Sequence, residues 1–256
     1  MLRISDTNSI RFLTIENPDR RNAIAPHEFL ELRDIVTEFE ASDARVLVIT
    51  GAGADFSSGL DLAAGGALQG GLAAMTSAVE GVSAAAVALF RCTKPTVAAV
   101  DGVAAGAGLN LALCCDITIA SARARFTEIF AKRGLALDFG GTWLLPRLVG
   151  LARAKELALT GREFGAGEAL DLGLIAEVVE PDRLQQRAAE VAAGLAAGAP
   201  LAQRFIKQGL DRSFDMSFEE ATAVEAQAQG LLLTSEDAME GFIAFLEKRP
   251  PRFQGR

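Results

Sequence analysis

Two short glycine-containing turns are the segments best suited to chemistry: Phe56-Ser57-Ser58-Gly59-Leu60-Asp61 and Gly102-Val103-Ala104-Ala105-Gly106-Ala107-Gly108. Each follows a run of small or β-branched apolar residues, and small side chains in a turn let the main chain come close to a ligand. Where such a turn opens a helix, the amides of Ala107 and Gly108 have no intrahelical acceptor and lie at the positive end of the helix dipole. Amides so placed can hold an oxyanion. The same glycines would equally serve as tight strand-to-helix turns and nothing more. Their spacing is not G-x-G-x-x-G, so a dinucleotide fold is not indicated. His27 is the only histidine and falls in the first turn of a helix, which argues against a serine–histidine–aspartate hydrolase. The three cysteines are odd in number, and Cys114 and Cys115 are adjacent. They suggest neither a disulfide framework nor a spaced metal cluster, and no metal is expected.

The elements that must position these turns can be read from the pattern. Arg11-Phe12-Leu13-Thr14-Ile15 alternates as a strand, and Asn17-Pro18-Asp19 turns the chain. Pro26 then opens a helix whose stripe is Phe29, Leu32, Val36 and Phe39. Val46-Leu47-Val48-Ile49-Thr50, Thr96-Val97-Ala98-Ala99-Val100 and Asp116-Ile117-Thr118-Ile119-Ala120 read as strands buried on both faces, the last two bracketing a helix that begins in Gly106-Ala107-Gly108. The Gly- and Ala-rich segment 62–88 reads as a loop followed by a small-residue helix. This alternation implies an α/β core. After Pro181 only helices are expected: Pro200 opens one, a Ser217-x-x-Glu220 capping box another, and Thr234-x-x-Asp237 a weaker analogue. Ala238, Phe242, Phe245 and Leu246 make a stripe that should pack on the core or on a neighbouring subunit. The charge of −8, from 33 acidic and 25 basic residues, argues against nucleic acid or a membrane surface as the partner. No targeting segment or membrane span is read, which places the chain in the cytoplasm.

Several motifs then occur together: Asn17-Pro18 with Arg21-Asn22-Ala23, Val48-Ile49-Thr50-Gly51-x-Gly53, Phe56-x-x-Gly59-Leu60-Asp61-Leu62, and Lys94-Pro95-Thr96-Val97 through Gly108. They are joined by Cys115-Asp116-Ile117, Gly140-Gly141-Thr142-x-x-Leu145-Pro146-Arg147 and Glu168-Ala169-x-x-x-Gly173-Leu174-Ile175. In this order, over nearly the whole chain, they resemble the crotonase (enoyl-CoA hydratase/isomerase) superfamily. The resemblance implies an α/β spiral of repeated ββα units at 1–198 and a helical trimerisation region at 199–256, giving a homotrimer or hexamer. It also implies an acyl-CoA thioester substrate, with coenzyme A as part of that substrate and no separate cofactor. By position, the two oxyanion amides are those of Leu60 and Ala107. Removing one such donor would cost about 3 kcal/mol of transition-state stabilisation.

In this family water addition employs two glutamates. Here the first position holds Asn110, and counting back from Gly140-Gly141-Thr142 puts Phe130 at the second. Glu128 lies two residues away and, on a helix, would point to a different face. Asp138 stands where the family's dienoyl-CoA isomerases and aromatic-ring acyl-CoA isomerases place an acid/base aspartate. The run from Gly134 to Arg147 resembles most the isomerases of phenylacetate degradation. One carboxylate suffices to shift a proton, and apolar Leu137, Phe139 and Trp143 would raise its pKa by desolvation; the same aspartate would also suit a turn cap before Gly140. The expected activity is therefore isomerisation of an unsaturated or ring-containing acyl-CoA. Alternatives are enoyl-CoA hydration, another thioester reaction, or a non-catalytic acyl-CoA- or RNA-binding member of the family.

For substrate binding, Arg21 is placed near the CoA phosphates, ahead of Arg20, and Lys248 would reach a neighbouring subunit's CoA. Ala23, Ser58, Asp61, Leu62 and Gly106 border the site, although Asp61, like Asp116, also reads as an aspartate bonding local amides. Asn110 would face substrate or water, or else satisfy its helix start. Phe130, Phe139 and Trp143 would line the acyl pocket with segment 62–88.

Overall fold

The computed structural model describes residues 1–61, 64 and 71–256. The elements run β1 (Leu2–Thr7), β2 (Ile10–Ile15), α1 (Pro26–Ala41), β3 (Val46–Gly51), α2 (Gly71–Arg91), β4 (Thr96–Val100), β5 (Val103–Ala105) and α3 (Ala107–Leu113). They continue with β6 (Ile117–Ser121), β7 (Arg125–Thr127), α4 (Gly141–Thr160), β8 (Glu163–Gly165), α5 (Ala166–Asp171), β9 (Glu177–Val179), α6 (Leu184–Ala196), α7 (Pro200–Asp211), α8 (Phe218–Leu232) and α9 (Glu236–Glu247).

Among the described residues the strands form two sheets, ordered β1-β2-β3-β4-β6-β9 and β5-β7-β8. All pairings are parallel except β1 with β2 and β7 with β8. The chain climbs as a ramp. From β4 it turns into β5 of the smaller sheet and returns through α3, and from β6 it turns into β7 and returns through α4. These are the ββα units of the expected spiral.

Burial on both faces explains the apolar strands. Leu47 and Ile49 of β3, with Ala98 and Val100 of β4, point into the main core with α1, α2 and α3. Val46, Val48, Val97 and Ala99 point the other way, onto Leu184, Ala188 and Ala192 of α6. Alternate residues of a strand face opposite sides, so helices must cover both. α2 is long and apolar enough, by length and composition, to cross a membrane. Its Val82, Ala85, Ala86 and Leu89 belong to the main core with Phe29 and Leu32 of α1.

Asp116 bonds the amide of Thr96 at 2.7 Å and Lys207 of α7 at 2.8 Å, so it ties two strand starts to the C-terminal helices. Ser217 and Glu220 form the expected capping box of α8. The start of α9 differs from expectation: Ser235 accepts from Ala238 N at 3.1 Å, while Thr234 Oγ1 donates back to Leu231 O at 2.8 Å. Thr234 thus finishes the turn after α8, and its neighbour is the cap. Phe242, Phe245 and Leu246 are exposed on the protomer.

Candidate active site

The two glycine turns lie side by side. Phe56 and Ser57 donate their amides to Val103 O, and Ala105 N donates to Ser57 O at 3.0 Å, so the first turn extends the edge of β5. Gly59 has φ +88°, and a Cβ there would stand 2.8 Å from Ala105 O and 3.2 Å from Ala107 N. Only glycine lets the turns approach this closely. Gly108 is packed as tightly, since a Cβ would run into the Ser57 main chain.

This contact aims the amides. Gly59 O accepts from Ile24 N and Asp61 N donates to Ile24 O, both at 2.8 Å. In an extended segment the intervening N–H faces the other way, so the Leu60 amide points away from Ile24. Ala107 opens α3 after Gly106 and has no intrahelical acceptor. Two main-chain donors on touching turns can hold one anionic oxygen.

The Asn22-Ala23 turn is bound to the same place. Ser58 donates to Arg21 O through its amide and to Arg20 O through its hydroxyl, at 2.9 and 3.0 Å. Asn22 is fully buried, donates to Ala52 O and Asp55 O and accepts from Asn17 N. It is a scaffold residue whose side chain the sequence reading left unassigned. Its buried amide at positive φ, between strand and helix, is the signal that marks it. Ala23 is buried, Arg21 exposed, and Arg20 pairs with buried Asp61 at 3.0 Å. Leu62 lies outside the described residues. Lys248 is exposed at the end of α9.

The third component is a buried polar group at the start of α4. Asn110, fully buried on α3, donates through Nδ2 to Asp138 O at 3.0 Å, and that carbonyl also accepts from Gly141 N at 2.9 Å. Asn110 packs so tightly on Gly141 that a Cβ there would stand 2.7 Å from its Cγ. It neither caps its own helix nor points free, but braces the Asp138 turn. Phe139 next to it has φ +47° and a ring buried 6.1 Å from that of Phe29. Such backbone strain, about 1 to 3 kcal/mol, is retained where surrounding packing imposes it. It turns the Phe139 ring inward.

Glu128 departs from expectation. It is fully buried and lies outside any α-helix, between β7 and the 3-10 turn Ile129–Arg133. Helical spacing therefore does not apply to it. Its Oε2 lies 3.5 Å from Asn110 Nδ2. Burial first, and then the charge of Asp138, push its carboxyl up to about 8. Burial alone pushes Asp138 up to about 6. The asymmetry is physical: Asp138 ionises beside a still neutral Glu128, and Glu128 must then ionise beside an anion. Both carboxyls are thus held above the ordinary carboxylate range, Glu128 further than Asp138.

A stability consequence follows. The Glu128 carboxyl is held above its usual 4.5, so the folded state binds that proton more tightly. Its contribution is full below about 4.5, is lost as pH rises through about 8, and is on the order of a few kcal/mol. Glu128→Gln does not titrate. Its melting temperature should therefore exceed that of the wild type by an amount that grows from pH 5 to pH 8 and then levels off.

Phe130, where hydratases of the resembled family carry a glutamate, is buried with its ring 3.4 Å from the position of a Cβ on Gly106. An apolar ring thus stands beside the second glycine turn. Trp143 packs edge-on against Phe90 at 5.0 Å and under Arg147 at 3.8 Å. It borders a cavity of about 430 Å³ with Leu113, Cys114 and Ile206, away from the residues that brace Asp138.

Comparison with known proteins identifies the family and the fold. The sequence model of the family described as enoyl-CoA hydratase/isomerase matches residues 5–256. A protein of Rhodobacter capsulatus described as a probable enoyl-CoA hydratase is 39% identical over 255 residues, covering 100% of this chain and 98% of its own. The 1,2-epoxyphenylacetyl-CoA isomerase of Escherichia coli K12 is 38% identical over 247 residues, covering 95% and 94%. The crystal structure of an enoyl-CoA hydratase from a Polaromonas species superposes with a TM-score of 0.94 at 31% identity, over 99% of both chains.

Proposed function

We propose that this chain, which belongs to the enoyl-CoA hydratase/isomerase family, is an acyl-CoA isomerase that shifts a double bond or rearranges a ring next to a thioester. The observation that carries the reading is Asp138, with a buried carboxyl oxygen and a main-chain carbonyl braced by Asn110, in a site whose two hydratase positions hold Asn110 and Phe130. The amides of Leu60 and Ala107 bind the thioester oxygen, and their grip strengthens as that oxygen gains charge. Asp138 takes a proton from carbon 2, the electrons move onto the oxygen as an enolate, and the carboxylic acid so formed returns the proton to carbon 4. No water need be activated, and the ring of Phe130 is suited to keeping it out.

Arg20 and Arg21, beside Ala23 and Ser58, are the cations nearest the path expected for CoA phosphates. Asp61 holds Arg20 in place. The exposed apolar residues of α8 and α9, among them Leu231, Phe242 and Phe245, suit a homotrimer or hexamer, in which Lys248 of one subunit reaches the CoA of another. Water addition is the second reading, favoured by the hydratase description of the Rhodobacter relative. A panel of β,γ-unsaturated, dienoyl and ring-epoxide acyl-CoA thioesters separates the two. At least one should isomerise more than about a hundredfold faster than crotonyl-CoA is hydrated, given the two to four orders of magnitude expected of one acid/base group. Brisk hydration of crotonyl-CoA, with no isomerisation across the panel, would overturn the isomerase reading.

A further inference from the structure

Glu128 has no part in the proton transfer just described, yet it is as buried as any polar residue in the protein. Its Oε1, the Oδ1 of Asp138 and the Oδ1 of Asn110 are all buried with no donor among the described residues. The side chain that links the three residues, Asn110, donates only through Nδ2, to Asp138 O at 3.0 Å and to Glu128 Oε2 at a long 3.5 Å, so it supplies no donor to those three oxygens. A buried group this rich in acceptors and poor in donors is costly unless it holds a proton of its own.

Charged groups on the surrounding elements are engaged elsewhere. α3 has no titratable side chain from Ala107 to Leu113, and Cys114 and Cys115 beyond it bond Ala86 O and Leu111 O. Arg125 of β7 pairs with Glu163 of β8, and Lys132 and Arg133 are exposed. On α4, Arg147 stacks on Trp143 and Arg153 pairs with Glu156, which also holds Arg162. Asp138 is the charge that reaches Glu128.

We infer that Glu128 is a positioning residue that keeps the proton of the pair while Asp138 serves as the ionised base, and so sets the upper pH limit of the site. This rests on the reading of Asp138 as the acid/base group. Once Glu128 ionises, a second buried negative charge stands beside Asp138 and opposes the charge growing on the thioester oxygen. The raised titration of both carboxyls, Glu128 the higher, agrees with this order.

The test is the pH dependence of kcat/KM for whichever panel thioester the wild type turns over, together with carboxyl carbon NMR titration of the full chain. The wild type should rise through about 6 and fall through about 8. Glu128→Gln should keep the rise and lose the fall, whatever its absolute rate. In the NMR titration the Glu128 midpoint should lie near 8, and in Asp138→Asn it should drop by about one pH unit, because a neighbouring charge has gone. A fall that persists in Glu128→Gln overturns the inference, as does a Glu128 midpoint in the ordinary carboxylate range or one unmoved in Asp138→Asn. Coupled titration without isomerisation of any panel member supports the pairing and overturns the isomerase reading alone.

Discussion

Asp138→Asn should lower the turnover of a β,γ-unsaturated acyl-CoA by about two to four orders of magnitude while the variant still binds the thioester. The amide is nearly isosteric, and the link from Asn110 goes to the main-chain carbonyl of residue 138, so the turn should survive the change. What disappears is the only group in the proposed mechanism able to take and return a proton. The loss should fall on kcat, because the oxyanion amides and the CoA contacts lie on other segments. Isothermal titration with a non-reacting acyl-CoA beside a steady-state assay separates binding from chemistry. Activity within a few-fold of wild type would remove Asp138 from the mechanism. In the wild type the base must be ionised, so activity is lost as pH falls through about 6.

Gly59→Ala should have the second largest effect, lowering kcat by about two to three orders of magnitude, the range seen when one oxyanion donor is lost. Residue 59 sits at φ +88°, and a methyl there would press on Ala105 O and Ala107 N. It must push the two turns apart, so the amides of Leu60 and Ala107 no longer converge. Gly167→Ala is the control, since a Cβ there meets nothing within 4 Å and turnover should stay unchanged. Circular dichroism melts show whether Gly59→Ala is folded at the assay temperature. A folded Gly59→Ala variant with near-normal kcat would mean that these amides do not hold the developing charge.

How far the sequence led depended on whether local pattern or distant packing decides each feature. β3, β4 and α1 were legible because burial on both faces of a strand, or one stripe of a helix, leaves a periodic mark. β1 was missed because its burial is confined to Leu2 and its alternation, Leu2-Arg3-Ile4-Ser5, stops at Asp6. The two turns were legible in their glycines, and the packing of Gly59 on Ala107 gives the spacing a physical reason. Glu128 was read as part of a helix, whereas a 3-10 turn follows it, so angles counted in α-helical steps do not apply there. The brace from Asn110 to Asp138 O joins residues 28 positions apart, and no local pattern records such a contact. Trp143, grouped with Asp138 by closeness in sequence, stands in the first turn of α4 and packs against Phe90 and Arg147.

The amide of Asn110 ties α3, whose first N–H would hold the carbonyl oxygen in the proposed mechanism, to the loop that carries Asp138. The two halves of the catalyst therefore cannot drift apart as different acyl tails enter. In the proposed mechanism this would make the brace a regiochemical ruler: unsaturation next to the thioester would fall within its span, whereas an alkene remote along the tail would pass through unaltered.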